Sequence, residues 1–245
     1  MKSLIPNSLT ALNLFCGCVA VLSFLCEEHL IGIVLVFVAA SADFFDGFVA
    51  RLLKVESELG KELDSLADMI SFGFVPGVII FKALAGNIDL NNNYLSEISH
   101  QHYLPLMGFV ITVFSGFRLA KFNIDVRQSN FFIGLPTPAN TLFFLTIPII
   151  WINETPGEWA YELTFNKPLL IALTIMFSYL LIAEIPLLAI KFKGFRIKDN
   201  IYRYTLIVSA LVGAFALKHL SIPIILIIYL LISVLENITK RKKKN

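Results

Sequence analysis

Charge is scarce in this sequence. Only 16% of its 245 residues are Asp, Glu, Lys or Arg, while 57% are hydrophobic. That balance excludes a disordered chain, which needs low hydrophobicity and high charge. It also argues against an ordinary soluble domain, where about 25% of residues are charged. Cysteine is nearly absent: Cys16, Cys18 and Cys26 sit in or beside the first apolar run, which excludes a disulfide framework. No Gly-x4-Gly-Lys-Ser/Thr loop occurs, so the chain is not a P-loop nucleoside triphosphatase. No internal repeat is visible either, a feature common in secondary transporters. The histidines (His29, His100, His102, His219) fall at or beyond the outer ends of the spans described next, so a histidine metal site is not expected.

Long apolar runs are what the sequence does have. A membrane helix needs about 20 mainly apolar residues. Such runs occur at 9–25, 30–50, 63–84, 103–122, 138–152, 168–190, 202–217 and 222–238. With a cytoplasmic N-terminus and alternating sides, all of the 20 basic residues except Lys82, Lys167 and Lys218 fall inside. Glu27, Glu28, Asp89, Glu97, Glu154, Glu158 and Glu162 fall outside. That is the bias of the positive-inside rule.

The expected fold is therefore all-α. It is a polytopic membrane helix bundle of about eight spans, N-in and C-in. One domain covers 1–245, with a core to roughly 190, two further spans over 202–238 and a basic tail at 239–245. A cleaved signal peptide fits poorly, because Lys2 alone marks a basic n-region and no soluble domain follows. Asn153-Glu154-Thr155 matches a glycosylation triplet, a pattern common by chance. The tail suits anionic lipid head groups, and nothing supports nucleic-acid binding.

The unusual charges lie at the cytoplasmic end of the second and third runs. The second ends Asp43-Phe44-Phe45-Asp46-Gly47-Phe48-Val49-Ala50-Arg51, and the third opens Gly60-Lys61-Glu62-Leu63-Asp64-Ser65-Leu66-Ala67-Asp68. Spacings of three (Asp43, Asp46) and four (Asp64, Asp68) put each pair on one helix face. In an antiparallel hairpin Asp43 and Asp68 each lie eight residues, roughly 12 Å, from the loop end. Four carboxylates would then converge, and they stay ionised together only with cations between them. Oxygen-only ligation selects Mg²⁺, Mn²⁺ or Ca²⁺, and two such ions suit phosphoryl displacement. Small residues (Gly47, Ala50, Gly60) leave room beside the carboxylates, and Arg51 offers a fork for phosphate. An ion-coupled transporter is the competing reading, since intramembrane carboxylates also build ion pathways.

The pattern Asp43-x2-Asp46-Gly47-x2-Ala50-Arg51-x8-Gly60-x3-Asp64-x3-Asp68 resembles the complete motif of the CDP-alcohol phosphatidyltransferases, with every motif position filled. The resemblance implies attack of an alcohol on the β-phosphoryl of a CDP-linked lipid, with CMP leaving. It implies a first divalent ion held by Asp43, Asp46 and Asp64, and a second held by Asp43, Asp64 and Asp68. The ions would be Mg²⁺ or Mn²⁺, with Ca²⁺ as a further possible ligand. Asp68 would be the general base. Gly47, Ala50, Arg51 and Gly60 would line the CDP moiety, bordered from the first helix by Pro6, Asn7 and Thr10. A homodimer is implied as well.

Three segments are similar to the members of this family that use serine: 5–17, Phe117-Arg118-Leu119-Ala120-Lys121-Phe122-Asn123, and Gly134-Leu135-Pro136-Thr137-Pro138-Ala139. That likeness implies CDP-diacylglycerol as donor and L-serine as acceptor. Arg118 would meet the serine carboxylate, with Asn123 and Thr137 as further acceptor contacts. Lys121 reads as a membrane anchor. Sister acceptors, glycerol 3-phosphate or inositol, stay open because Lys191, Lys193, Arg196 and Lys198 could serve a phosphate. With no transit peptide before the first span, the expected location is a prokaryotic inner membrane, with the active site on the cytoplasmic side.

Overall fold

The structure, a computed structural model, describes residues 3–55, 57–86, 103–125, 134–185, 187 and 201–242. All regular structure among these is helical. α1 (Leu4–Leu25) and α2 (His29–Leu53) form the most extensive helix pair. The third rod is composite: α3 (Glu58–Asp68), a π-helical stretch (Met69–Phe74) and α4 (Val75–Ala85). A 3₁₀ turn (Leu104–Gly108) leads into α5 (Phe109–Ile124). Then come α6 (Thr137–Phe144), α7 (Thr146–Asn153), the short α8 (Trp159–Leu163) and α9 (Lys167–Ile182). α10 (Ile201–Leu217), a 3₁₀ turn (Lys218–Leu220) and α11 (Ser221–Lys242) close the chain.

Four of these rods are long and apolar enough to cross a membrane: Leu4–Leu25, His29–Leu53, Glu58–Ala85 and Leu104–Ile124. Lys167–Ile182, Ile201–Leu217 and Ser221–Ser233 are shorter apolar helices. Two expected spans differ from the observed helices, for backbone reasons. The run at 138–152 is divided at Leu145, because Pro148 has no N–H for, and its ring crowds, the carbonyl four residues back at Phe144. The Thr146 hydroxyl donates to the Phe143 carbonyl at this break. The run at 168–190 has its helix end at Ile182, with Ala183 already extended. Pro186 is the sequence reason, since in a continued helix it would have no N–H for, and its ring would crowd, the carbonyl of Ile182 four residues back. The basic residues Lys2, Arg127, Lys191, Lys193, Arg196, Lys198, Lys243 and Lys244 lie outside the described residues, as does most of the polar 85–102 segment.

The turn between α2 and α3 positions the aspartates. Lys54 takes a left-handed conformation (φ 54°), and the amides of Lys54 and Val55 return to the carbonyls of Arg51 and Ala50. Ser57 then caps α3 by accepting from the Gly60 amide at 3.1 Å. On α2, Phe44, Phe45 and Phe48 are exposed while Ala39, Ala42 and Asp46 are buried. The aspartate face therefore points inward and the phenylalanine face outward, as a lipid-facing helix requires.

The core lies between α1, α2, the π stretch, α4, α6 and α9. Phe24, Phe72, Phe144 and Phe177 are buried there with Ile79, Ile80 and Leu84. Phe143 stacks on Phe177 at 4.1 Å between ring centres. Close backbone approach is confined to a few glycines. A methyl group on Gly108 would lie 2.7 Å from the Gly77 carbonyl oxygen and the Phe81 amide, so α4 and the start of α5 meet there with no side chain between them.

Candidate active site

Carboxylates of Asp43 (α2), Asp64 and Asp68 (α3) meet at the α2–α3 hairpin, each offering an oxygen within 4.8 Å of the others. Asp46 sits beside this trio rather than within it. It is buried and takes a hydrogen bond from the Thr10 hydroxyl at 2.5 Å. Asp68 receives the Asn13 amide at 3.3 Å. Asp64 Oδ1 is buried with no hydrogen-bond partner. A bare carboxylate oxygen beside two further carboxylates is a costly arrangement in a low dielectric without a counter-charge. The donor set is all oxygen, so these residues fit a hard divalent cation.

Beside the trio opens a cavity of about 480 Å³, lined by Pro6, Asn7, Thr10, Asp46, Gly47, Ala50, Arg51, Val55, Ser57, Glu58, Gly60, Lys61 and Asp64. That is the size range of small-molecule sites. A methyl on Gly47 would lie 3.5 Å from Arg51 Nη1, so the guanidinium folds back over the glycine one turn earlier. A methyl on Gly60 would lie 3.1 Å from Ser57 Oγ and 3.4 Å from Asn7 Oδ1, narrowing the cavity from its other wall. The cavity therefore has small residues in its wall, with the exposed Arg51 guanidinium on one side and carboxylates on the other.

Arg118 of α5 is buried and interacts electrostatically with Asp68. Its Nε donates to the Leu135 carbonyl at 2.9 Å and its Nη1 to the Thr137 hydroxyl at 3.4 Å, with the guanidinium carbon 5.4 Å from the Phe122 ring centre. Among the described residues no carboxylate lies within ion-pair distance of it. Its neighbour one turn on, Lys121, does have such a partner, Glu184 at 3.0 Å. The Asn123 side chain donates to Ser65 Oγ at 2.9 Å, and its backbone carbonyl accepts from Lys61 Nζ at 2.8 Å. Asn123 thus ties α5 to α3 through one of its two amide hydrogens.

Several contributors escape a reading of the motif alone. Asn13 lies three residues after Thr10 on the same face of α1, and that spacing was the available signal. Lys61 looks like one more inside charge, yet it lines the cavity. The π stretch directly after Asp68 has no hydropathy signature. Its carbonyls are served from neighbouring helices: Thr141 donates to Phe72 at 2.8 Å and Thr112 to Gly73 at 3.0 Å. Such stretches recur at functional sites.

This geometry agrees with the family to which the sequence matches. Residues 3–186 match the CDP-alcohol phosphatidyltransferase family, and the chain belongs to it. It is therefore an enzyme of the phosphatidyltransferase class. Among similar proteins is the CDP-diacylglycerol–serine O-phosphatidyltransferase of Bacillus subtilis. It is 28% identical over 185 residues, 74% of this chain and 88% of that protein. The protein of the same name from Helicobacter pylori is 35% identical over 138 residues, 56% of this chain and 53% of its own length. That from Methanocaldococcus jannaschii is 30% identical over 142 residues, 58% of each. α10 and α11 lie beyond the family match.

Proposed function

We propose that the chain transfers the phosphatidyl group of CDP-diacylglycerol to the hydroxyl of L-serine, yielding phosphatidylserine and CMP. The observation that carries this reading is Arg118: a buried guanidinium beside Asp68 with, among the described residues, no carboxylate within ion-pair distance. A buried unpaired cation is expensive, and the carboxylate of an amino-acid acceptor would neutralise it through a planar fork. The serine specificity of the named relatives supports the same choice.

In this reading Pro6, Asn7, Thr10, Gly47, Ala50, Arg51 and Gly60 enclose the CDP moiety, and Lys61 adds a second positive charge to its diphosphate. Asp43, Asp46 and Asp64 would hold one Mg²⁺ or Mn²⁺, and Asp43, Asp64 and Asp68 another. Bound there, the ions would neutralise charge developing on the attacking and leaving oxygens. Asp68 accepts the serine hydroxyl proton as the new O–P bond forms at the β-phosphorus. The bond to CMP breaks, and CMP carries away the electron pair. Little covalent help is needed, since phosphoryl transfer rests on positioning and charge neutralisation. Arg118 orients the acceptor, and Thr137 positions Arg118.

The wider setting belongs to the same proposal. It comprises about eight spans with both termini in the cytoplasm, a single domain over 1–245, a prokaryotic inner membrane and a homodimer. The clustering of basic residues at one set of helix ends supports the topology, and the packing of α11 against α6 supports the single domain. Cross-linking in native membranes reads out the dimer. The purified chain in CDP-diacylglycerol vesicles with Mn²⁺ is given labelled serine, glycerol 3-phosphate or inositol in turn. Labelled lipid with serine, matched by CMP, supports the proposal. Turnover with another acceptor and none with serine overturns it.

A further inference from the structure

Asn13 is completely buried in α1, and its side chain is half satisfied. Nδ2 donates to Asp68 Oδ1 at 3.3 Å, while Oδ1 has no partner. Leaving a buried acceptor unmade costs about 1–3 kcal/mol. An apolar residue of similar shape avoids that cost, so packing alone does not account for an amide here. The backbone around it is held with unusual closeness. Ser71, in the π stretch three residues after Asp68, donates its hydroxyl to the Asn13 carbonyl at 3.0 Å. Gly17, one turn further along α1, leaves room for Ser71, whose hydroxyl occupies the place a methyl group on Gly17 would need. The Gly17–Ser71 seam therefore sets the height of α1 against the third rod, and that height presents the Asn13 amide to Asp68.

We propose that Asn13 is a positioning residue that aims the Asp68 carboxylate at Asp43 and Asp64. It does on the third rod what Thr10 does for Asp46 on the second. The two donors are three residues apart on one face of α1, and each grips a carboxylate of a different neighbouring helix. α1 is thus a jig that fixes the separation of carboxylates contributed by two other rods. Partners of this kind orient metal ligands, and their loss typically costs about 10–100-fold in metal affinity or activity. The proposal rests on the reading of the aspartates as a divalent-cation site.

The test uses the full-length chain in detergent with Asn13→Leu, and Asn13→Ala as a second variant of smaller volume. Thermal unfolding is followed against Mn²⁺ concentration without substrate, and turnover is measured separately. The parent should gain thermal stability with Mn²⁺. Without metal, Asn13→Leu removes the bare amide oxygen but also strips Asp68 Oδ1 of its donor, so the two costs oppose each other and the unfolding temperature should stay near that of the parent. The Mn²⁺ concentration for half-maximal stabilisation should nonetheless rise about tenfold or more, with kcat falling by a similar factor and the KM for the CDP-lipid within about twofold. A Mn²⁺ midpoint unmoved in both variants, whatever happens to turnover, overturns the role of Asn13. A parent that shows no Mn²⁺ response contradicts the metal site itself and the inference with it.

Discussion

The Thr10 hydroxyl on the first helix is bonded to the Asp46 carboxylate on the second at 2.5 Å, across 36 residues of sequence. The hydroxyl also lies 3.1 Å from the Pro6 carbonyl of its own helix. Thr10→Val keeps the shape and removes the donor, leaving a buried carboxylate oxygen bare. A hydrogen bond to a charged group contributes about 1.5–3 kcal/mol. The expected result is a chain that still folds but turns over about tenfold more slowly or worse. Initial rates and unfolding temperature, measured on the same preparation, check it.

Arg118 donates to Leu135 and Thr137 from a buried position beside Asp68. Arg118→Lys keeps the charge and loses the planar fork, which is not a conservative change at a bidentate site. The KM for serine should rise about tenfold or more, with the KM for CDP-diacylglycerol little changed. Lys121→Gln should leave both constants near the parent values, because Lys121 is engaged with Glu184 at a half-exposed site. Steady-state kinetics in both substrates separate the two. Equal loss of affinity for donor and acceptor in Arg118→Lys would count against an acceptor role.

A methyl group at Gly17 would collide with the Ser71 hydroxyl and approach its backbone at 3.0 Å. Overpacking of this kind costs about 1–3 kcal/mol. Gly17→Ala should therefore lower the unfolding temperature, and adding Ser71→Ala should restore only part of the loss, since the backbone contact remains. Thermal unfolding of the two variants measures the difference.

In the turn between α1 and α2, Glu27 pairs with Lys82 of α4 at 3.0 Å. The hydrogen bond from Lys82, with its charge, holds the Glu27 carboxyl below the ordinary value of 4.5. A depressed folded-state value means the pair's contribution is complete above the ordinary range and is lost as pH falls through the folded value. Glu27 is largely exposed, so the effect is small. Unfolding temperature should be insensitive to this pair near neutrality, and Lys82→Met should remove a shallow dependence confined to acid below about pH 4.5.

Much of this arrangement is legible in the sequence because it depends on near-neighbour spacing. The aspartate pairs at three and four residues announce one face, and the small residues between them announce a cavity. What escapes is set by backbone hydrogen-bond accounting or by contacts between distant helices. Apolar run length says nothing about the π stretch at Met69–Phe74, whose carbonyls are satisfied by Thr112 and Thr141. Pro148 and Pro186 interrupt runs that are continuous in apolarity, so run length by itself extends both expected spans past the observed helix ends. The contacts of Asn123 with Ser65 and Lys61, 58 and 62 residues away, have no sequence signal at all.

The central claim is that Asp43, Asp64 and Asp68 together hold divalent cations beside the CDP cavity. Its most direct test is the Mn²⁺ binding isotherm of the purified chain with saturating CDP, read by electron paramagnetic resonance for the parent and for Asp64→Asn. Saturable binding in the parent, lost or weakened about a hundredfold in Asp64→Asn, is the expected result. No saturable binding in the parent, or the same isotherm in both, would contradict the account.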